Sequence, residues 1–263
     1  MSAPVDDAGG GSGGLGAVTR LPGLSLVLPV HNELDNIRWL LPHLATTLPT
    51  LAEHFEVIVV DDGSSDGSGA LATSLAAQLG MELRIVRHQR KSGYGATVGD
   101  GLRAAALAYV AFTDADGQFE VADFAQLLPL LADADLVGGW REQRRDAAMR
   151  SVVSWVFNTL VLVLYRLPYR DIDCAMKVMR REVVESVELR AQSALINTEL
   201  YYKARHAGWR IAQHPVPHHP RRAGRRSGAR PRAILRAIRE LIVFRWTMRR
   251  SLPRRIPPAS RGL

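Results

Sequence analysis

The 263-residue sequence contains a single cysteine, Cys174, and no apolar stretch long enough to cross a membrane. One cysteine excludes a framework of intrachain disulfide bonds and is typical of proteins from a reducing compartment. The longest apolar segment, 151–164, has about 14 residues, whereas a membrane-spanning helix needs about 20. We therefore predict no transmembrane helix, and we expect this segment to lie either in the core or in a membrane interface.

The N-terminus also lacks the features of a signal peptide. Residues 1–22 are rich in glycine, serine and alanine, without a basic start or a long apolar region, and are predicted to be a disordered lead. The remaining chain has an ordinary globular composition, with 47% hydrophobic and 23% charged residues over the whole sequence. We assign residues 23–220 to one globular domain and residues 221–263 to a basic tail.

The net charge of +8 is unevenly distributed along the chain. Residues 221–263 contain 14 arginines, no lysine and one acidic residue, Glu240, which gives +13 and leaves −5 for residues 1–220. Such a tail predicts a polyanionic partner, either nucleic acid or an anionic membrane. Its arginines have few aromatic neighbours and no recognised nucleic-acid-binding motif precedes them, so specific nucleic-acid binding is not predicted.

Apolar residues of the tail repeat with helical spacing, and an aromatic pair follows them. The stripe contains Ile234, Leu235, Ile238, Leu241 and Ile242, with Phe244 and Trp246 near its end. A basic amphipathic helix with a tryptophan favours the interface of an anionic membrane. The alternative is a C-terminal helix that docks on the body of the protein with its arginines in solvent.

Strand-like and helical segments alternate through the first half of the chain. Apolar runs predict strands at 24–30, 55–60, 82–87 and 109–113, and helical spacing predicts helices at 33–48, 67–79 and 97–108. This alternation predicts an α/β fold with a mostly parallel sheet flanked by helices. The second half is less regular, with a possible strand at 135–138 and a basic turn that starts at Arg141.

Polar clusters follow three of the predicted strands, at 31–33, at 61–62 and at 114–116. Ligands of parallel α/β sheets bind at the carboxyl ends of the strands, so these clusters are expected to form one site. Asp114 and Asp116 offer two hard oxygen ligands, which suit Mg²⁺ or Mn²⁺ held partly by substrate phosphates. The alternative is that each cluster only caps the next helix.

The motifs in these positions resemble those of the family 2 glycosyltransferases, which have the Rossmann-like GT-A fold. The similar segments are Pro29-Val-His-Asn-Glu33, Asp61-Asp-Gly-Ser-Ser-Asp66, Gly93-Tyr-Gly-Ala96, Asp114-Ala-Asp-Gly-Gln118 and Asp171-Ile-Asp-Cys-Ala-Met-Lys177. Within the family, the Asp114–Gln118 motif and the segment Arg221–Ser227 are most similar to polyprenyl- and dolichyl-phosphate sugar synthases, such as dolichol-phosphate mannose synthase. The Gln-x-x-Arg-Trp motif of processive polymerases is missing.

Three residues depart from the family pattern. His31 replaces a tyrosine, Tyr94 stands where many members have lysine, and Ala175 replaces glycine. The first two changes affect positions expected to contact the base or the phosphates, so the identity of the donor stays open.

The resemblance implies roles for individual residues. It places the nucleotide sugar on Pro29, His31, Asn32, Glu33, Asp61, Asp62, Gly93, Gly95 and Asp114. It places Mg²⁺ or Mn²⁺ on Asp114, Asp116 and Gln118. The implied reaction is an inverting transfer from a donor of the GDP-mannose or UDP-glucose class, with Asp116, Asp173 and Arg141 as the catalytic residues.

The implied acceptor is a polyprenyl phosphate at the cytoplasmic face of the membrane. Its phosphate is already anionic near neutral pH, so the site needs cationic side chains rather than a general base. Candidates for this role are Arg141, Arg145, Arg150, Arg221 and Arg222, with Ser227. We expect a cytoplasmic protein held peripherally at the inner membrane face, with or without a separate membrane-spanning partner.

Two other functions were weighed. Transfer to a sugar hydroxyl of a cell-envelope glycan or glycolipid would need a general base, for which Asp173 is the candidate. A non-catalytic GT-A domain is disfavoured because the nucleotide motif and both metal-site aspartates are present.

Overall fold

The computed structural model describes residues 20–142, 159, 161–223, 240, 241 and 243–246. Arg145, Arg150 and Ser227 lie outside the described residues, as do residues 1–19. Most of the apolar segment 151–164 and most of the expected C-terminal helix lie outside as well.

A seven-stranded sheet forms the centre of the described chain, in the order β3-β2-β1-β4-β6-β5-β7. Strand β6 is antiparallel to its neighbours β4 and β5, and the other pairings are parallel. The predicted α/β fold with a mostly parallel sheet is therefore confirmed. The strands are β1 (Leu21–Val30), β2 (Ala52–Asp61), β3 (Leu83–Arg87), β4 (Tyr109–Phe112), β5 (Leu136–Arg141), β6 (Lys177–Arg180) and β7 (Ile211–Val216).

Helices cover both faces of this sheet. The α-helices are α1 (Leu34–Leu51), α2 (Ser68–Leu79), α3 (Tyr94–Ala104), α4 (Arg181–Glu185) and α5 (Leu195–Ala207), and two 3₁₀ helices span Val121–Gln126 and Leu128–Ala132. Residues 161–165 and 243–246 are also helical. Within the described ranges, no helix combines the length and apolarity that a bilayer crossing requires.

The central strands supply both hydrophobic cores because successive side chains of a strand point to opposite faces. In β2, Val57 and Val59 pack into the core under α1 and α2, whereas Ile58 and Val60 pack into the core under α3 and α5. All four side chains are completely buried. A strand buried on both faces has a continuous apolar sequence, which is why these segments were recognisable.

Helix α3 occupies 94–104 rather than the predicted 97–108. The apolar residues that follow it are drawn out of the helix by buried polar side chains of the neighbouring strands. The Glu56 carboxylate accepts the N–H of Ala106 at 2.8 Å, and the Ser25 hydroxyl accepts the N–H of Leu107 at 3.1 Å. Ser25 in turn donates to Glu56 at 2.7 Å, so the turn into β4 is fixed from within the core.

The predicted turn at Arg141 is wrong for that residue. Strand β5 extends to Arg141, three residues beyond the predicted end, because β7 pairs with it along its whole length. Strands β6 and β7 and helices α4 and α5 were not predicted.

Candidate active site

A cavity of about 630 Å³ opens at the carboxyl ends of β1, β2 and β4. Residues of all three predicted polar clusters line it, which places them in one site. The lining comprises Pro29, Val30, His31, Asn32, Glu33, Asp62, Asp114, Ala115 and Asp116, together with Lys91, Tyr94, Thr97 and Arg221.

The loop after β1 is interlocked with the loop after β2. Asn32 adopts a left-handed backbone conformation, with φ of 57°, and its side-chain oxygen accepts the N–H of Ser65 at 2.8 Å. The N–H of Glu33 donates to the Ser68 hydroxyl at 2.9 Å. His31 Nδ1 donates to the carbonyl of Asp62 at 2.7 Å, since a carbonyl can only accept. These bonds hold the first two clusters in register.

These polar clusters do not simply cap the helices that follow them. Helices α1 and α2 and the 3₁₀ helix at Val121–Gln126 follow the three clusters, and in each case the residue preceding the helix makes no side-chain capping bond. The start of α1 is held instead from a different loop, because Asp66 accepts the N–H of Leu34 at 3.0 Å. The capping alternative therefore fails for these three helices.

The two adjacent aspartates after β2 point in different directions. Asp61 accepts the N–H of Ser64 at 2.9 Å and is not part of the cavity lining. It packs so closely on α2 that a Cβ atom at Gly69 would lie 2.5 Å from its Oδ2. Asp62 faces the cavity. Of the predicted nucleotide-binding pair, the structure brings Asp62 into the cavity and leaves Asp61 in the loop that supports it.

Asp62 lines the cavity and is hydrogen-bonded to the backbone just before α3. Its carboxylate accepts the N–H groups of Ser92 at 2.6 Å and Gly93 at 3.0 Å, and it contacts His88 Nδ1 at 2.8 Å. Burial opposes the charge on Asp62, but these hydrogen bonds outweigh it and hold its pKa below the ordinary value. Burial likewise opposes charge on His88, but bonds to Asp62 and Asp100 raise its pKa.

Gly93 and Gly95 have a structural reason for lacking side chains. The backbone of 191–193 presses on the first turn of α3, and the N–H of Gly95 donates to the Gln192 carbonyl at 3.0 Å. A Cβ atom would lie 2.6 Å from that carbonyl at Gly93 and 2.3 Å from the Ala191 carbonyl at Gly95. Neither glycine lines the cavity, so both act in the structure by letting two backbones approach.

Asp114 and Asp116 lie together in the cavity wall after β4. Burial, followed by repulsion from Asp116, raises the pKa of Asp114 to about 7, against opposing contributions from Tyr94, Lys177 and Arg141. Tyr94 hydrogen-bonds to Asp114, and burial and this carboxylate raise its own pKa. Two carboxylates that repel each other at a cavity wall are suited to a divalent cation that neutralises both.

Arg221 crosses the mouth of the cavity from a segment 105 residues away from Asp116. Its guanidinium contacts Asp116 Oδ2 at 3.2 Å and forms an ion pair with Glu33. The backbone N–H of Arg222 donates to the Asp116 carbonyl at 3.3 Å, and the Arg222 guanidinium lies 3.6 Å from the centre of the Trp39 ring. The beginning of the basic segment is thus part of the site.

The predicted metal ligand Gln118 does not line the cavity, although its backbone N–H donates to Asp116 Oδ1 at 3.0 Å. Its side-chain amide contacts His218 Nε2 at 3.1 Å and donates to the carbonyl of His219 at 3.3 Å. The N–H of His219 donates back to the Gln118 carbonyl at 2.9 Å. These bonds fasten the segment that carries Arg221 to the loop after β4.

Arg141 is held by a carboxylate and does not line the cavity. Asp171 accepts two bonds from its guanidinium, both at 2.6 Å, and a third from its backbone N–H at 3.1 Å. Burial opposes the charge on Arg141, but this pairing raises its pKa. Asp173 lies close enough to Arg141, Tyr94 and Lys177 that its negative charge acts to raise the pKa of each, although burial outweighs this effect at Lys177. Lys177 itself is fully buried, and burial lowers its pKa to about 8.

Two polar cavity residues, Lys91 and Thr97, were not singled out in the sequence. Lys91, Tyr94 and Thr97 surround the first turn of α3, and the glycines at 93 and 95 were the available signal for that turn. Arg221 was predicted to hold the acceptor phosphate, but its contact with Glu33 and Asp116 has no local sequence signal.

The fold and cavity define an α/β protein whose ligand site lies at the carboxyl ends of parallel strands, with two aspartates in its wall. The family model described as "Glycosyl transferase family 2" matches residues 25–188. The chain therefore belongs to glycosyl transferase family 2, and the predicted family is confirmed.

Curated relatives agree with this assignment. The chain is 30% identical over 208 residues to dodecaprenyl-phosphate galacturonate synthase of Rhizobium johnstonii, covering 76% of this chain and 60% of that protein. It is 30% identical over 165 residues to an undecaprenyl-phosphate 4-deoxy-4-formamido-L-arabinose transferase of Aeromonas hydrophila, covering 62% and 51%. The chain thus spans about half to three-fifths of the length of these relatives. An uncharacterized glycosyltransferase of Mycobacterium bovis is 31% identical, with 77% of this chain and 88% of that protein covered.

Solved structures support the fold. Glucosyl-3-phosphoglycerate synthase from Mycobacterium tuberculosis, crystallised with Mn²⁺, UDP and glucosyl-3-phosphoglycerate, matches with a TM-score of 0.65 at 20% identity, covering 92% of this chain and 83% of that chain. A mannosyltransferase from Pyrobaculum calidifontis, in complex with GDP-mannose and Mn²⁺, matches with a TM-score of 0.57 at 20% identity, covering 89% and 74%. The predicted GT-A type of fold is confirmed.

Proposed function

We propose that this protein transfers a sugar from a nucleotide sugar to a polyprenyl phosphate. The observation that carries the proposal is the cavity that joins Asp62, Asp114 and Asp116 under the guanidinium of Arg221. Two relatives are named as enzymes that act with dodecaprenyl or undecaprenyl phosphate, which supports a lipid phosphate acceptor. The donor class rests on the cavity and on family membership.

The donor diphosphate would lie beside the aspartate pair. Among the described residues no group of three or more metal-ligating side chains is present. Two carboxylates fit Mg²⁺ or Mn²⁺ when diphosphate oxygens fill the remaining coordination positions of the ion. Asp114 and Asp116 would hold such an ion, which would neutralise the charge of the leaving nucleoside diphosphate. Asp62 and the loop at 29–33 would bind the nucleoside part, since carboxylates and carbonyls accept its N–H and O–H groups.

In the proposed reaction, a phosphate oxygen of the acceptor attacks the anomeric carbon. The bond from that carbon to the donor diphosphate breaks, and the nucleoside diphosphate leaves from the opposite face with the bonding electrons. Among the described arginines at the site, Arg221 and Arg222 are suited to bind the acceptor phosphate, because each keeps its positive charge and offers several hydrogen-bond donors. Arg141 is proposed to position the 171–177 loop through Asp171 rather than to contact the acceptor.

Transfer to a sugar hydroxyl is the second candidate function. The observation that favours it is the position of Asp173, which lies near Tyr94 and Lys177. A carboxylate in this position would serve as the general base. A lipid phosphate needs no base, so Asp173→Asn should only weaken transfer to phosphate and should abolish transfer to a hydroxyl.

The test is a transfer assay with radiolabelled GDP-mannose, UDP-glucose and other nucleotide sugars, Mn²⁺ or Mg²⁺, and polyprenyl phosphate in liposomes. The proposal predicts label in the lipid fraction from one donor, its loss in Asp116→Ala, and retention of most activity in Asp173→Asn. The exposed Asp133→Asn is the matched control. Slow donor hydrolysis without lipid label would favour the hydroxyl acceptor, and neither product from any donor would contradict the transferase.

We further propose that the basic segment attracts the protein to the cytoplasmic face of an anionic membrane, with or without a membrane-spanning partner. Each arginine near such a surface contributes about 1 kcal/mol. Deletion of 230–263 should release the protein from anionic liposomes while nucleotide binding persists, as measured by co-sedimentation. Undiminished sedimentation would contradict this role.

A further inference from the structure

A second cavity, of about 820 Å³, lies beside the last turn of α5. It shares no lining residue with the active-site cavity. Helix α5 starts next to the 191–193 segment that contacts Gly95, and its 13 residues separate its two ends by about 20 Å. The second cavity is therefore a separate site.

The lining of this cavity combines basic residues with apolar and aromatic residues. Its cationic residues are Arg166, Arg205, His206 and Arg245, and the remaining lining residues are Val163, Leu164, Tyr165 and Tyr202. No carboxylate is among the lining residues that the structure describes. Three permanent positive charges, with no carboxylate among these described lining residues, favour an anionic ligand.

Each of two guanidinium groups donates one hydrogen bond to a carbonyl within the described residues. Arg205 donates to the carbonyl of Arg166 at 2.7 Å, and Arg245 Nε donates to the carbonyl of Leu164 at 2.6 Å. Each guanidinium has five N–H donors. The carbonyls at the end of the helical residues 161–165 carry only about half a negative charge, which does not balance three arginines.

Arg245 gives the sharpest indication of a missing partner. Its Nη1 atom is buried and has no hydrogen-bond acceptor within the described chain. Buried polar groups are almost always hydrogen-bonded, and an unsatisfied one calls for a water molecule or a ligand. The Arg245 side chain lines the second cavity, so an anion in the cavity is the partner that we expect for this guanidinium.

The helical segments around the cavity also expose large apolar side chains. Leu162, Val163, Val243 and Trp246 are exposed by 49, 68, 55 and 73% respectively. Exposed apolar residues grouped in this way mark interaction sites. A ligand that matches both features combines an anionic group with an apolar group.

We propose that Arg166, Arg205 and Arg245 bind the phosphate group of a lipid phosphate ester in this second cavity. Guanidinium groups match phosphate oxygens in charge and in the geometry of their paired donors. The apolar part of the ester would lie against the exposed valines and Trp246. The site does not depend on the transferase reaction, because it shares no residue with the donor cavity.

The test is calorimetric titration of the full-length protein with short-chain phosphatidic acid below its micellar concentration, and separately with inorganic phosphate. The proposal predicts that the lipid ester binds the wild type. The affinity of the double variant Arg166→Gln/Arg205→Gln for this ester should be lower by a factor of at least about ten. The control variant Arg181→Gln/Arg190→Gln loses the same charge from exposed surface arginines and should keep wild-type affinity. Nucleotide binding should be unchanged in both variants.

Arg166→Gln alone is the second variant. Its side chain can be shortened without removing the bond between Arg205 and the carbonyl of residue 166, so the fold should survive even if the double variant does not. Equal affinity of wild type and variants for the lipid ester would overturn the proposal. Inorganic phosphate that binds as tightly as the ester would also overturn it, because the cavity would then be a free-phosphate site.

Discussion

The structure predicts that Asp62→Asn lowers the free energy of unfolding far more than the removal of one surface charge would. Asp62 is 3% exposed and accepts hydrogen bonds from Ser92, Gly93 and His88, at 2.6, 3.0 and 2.8 Å. Asparagine has nearly the same shape, but its NH₂ group is a donor and would face a backbone N–H or the His88 ring.

The magnitude follows from the bonds that change. One bond to a charged acceptor is lost outright, and such bonds are worth about 1.5–3 kcal/mol. The remaining two become bonds between neutral groups, worth about 1 kcal/mol each. We therefore expect the free energy of unfolding at pH 6 to fall by at least about 2.5 kcal/mol. The exposed Asp133→Asn removes the same charge and should change it by less than about 0.5 kcal/mol.

The effect of Asp62→Asn should depend on pH in a defined direction. The pKa of Asp62 is lowered, so its contribution is present above the unfolded value near 3.8 and is lost as the pH falls through the folded value. The pKa of His88 is raised, so its contribution is present below 6.5 and is lost as the pH rises through the folded value. The difference between wild type and variant should be largest between about pH 4 and pH 6.5.

The assay is urea unfolding of wild type, Asp62→Asn and Asp133→Asn at several pH values, followed by circular dichroism. If Asp62→Asn matched Asp133→Asn across this range, the network around the start of α3 would not be what stabilises the cavity.

Two further changes test the support of the site. Gly95→Ala places a Cβ atom 2.3 Å from the Ala191 carbonyl, so we expect a loss of about 1–3 kcal/mol, measured as a lower melting temperature; an unchanged value would contradict the close approach. Glu199→Gln leaves the fully buried Lys203, 2.7 Å away, without its counter-charge, and should cost about 3–5 kcal/mol in denaturant unfolding; a loss below about 1 kcal/mol would show that the pair is not buried as described.

The first half of the fold could be predicted because its strands are buried on both faces and its helices have clear apolar spacing. Helix α5 could not, because it buries Asn197, Glu199 and Lys203 as well as its apolar residues. Buried polar side chains that pair with each other or with loops erase the amphipathic pattern. Strand β7 contains Pro215, which argues against a strand in sequence but lies here at the sheet edge.

The candidate site was predictable where its residues follow strands. The structure brings Asp62, Asp114 and Asp116 into one cavity because strand ends meet at one edge of the sheet. The direction of Asp61, the engagement of Arg141 by Asp171 and the contact of Arg221 with Glu33 depend on side-chain packing between segments far apart in the chain. No local pattern encodes those contacts.

The central claim is that the cavity binds a nucleoside diphosphate through a divalent ion on Asp114 and Asp116. The most direct measurement is calorimetric titration of UDP and GDP into the protein with Mn²⁺ and then with excess EDTA, for wild type, Asp116→Asn and Asp133→Asn. The account predicts that one nucleotide binds with Mn²⁺ to wild type and Asp133→Asn, and that EDTA or Asp116→Asn weakens binding at least about tenfold. Equal binding of that nucleotide with and without Mn²⁺, in wild type and Asp116→Asn alike, would contradict it.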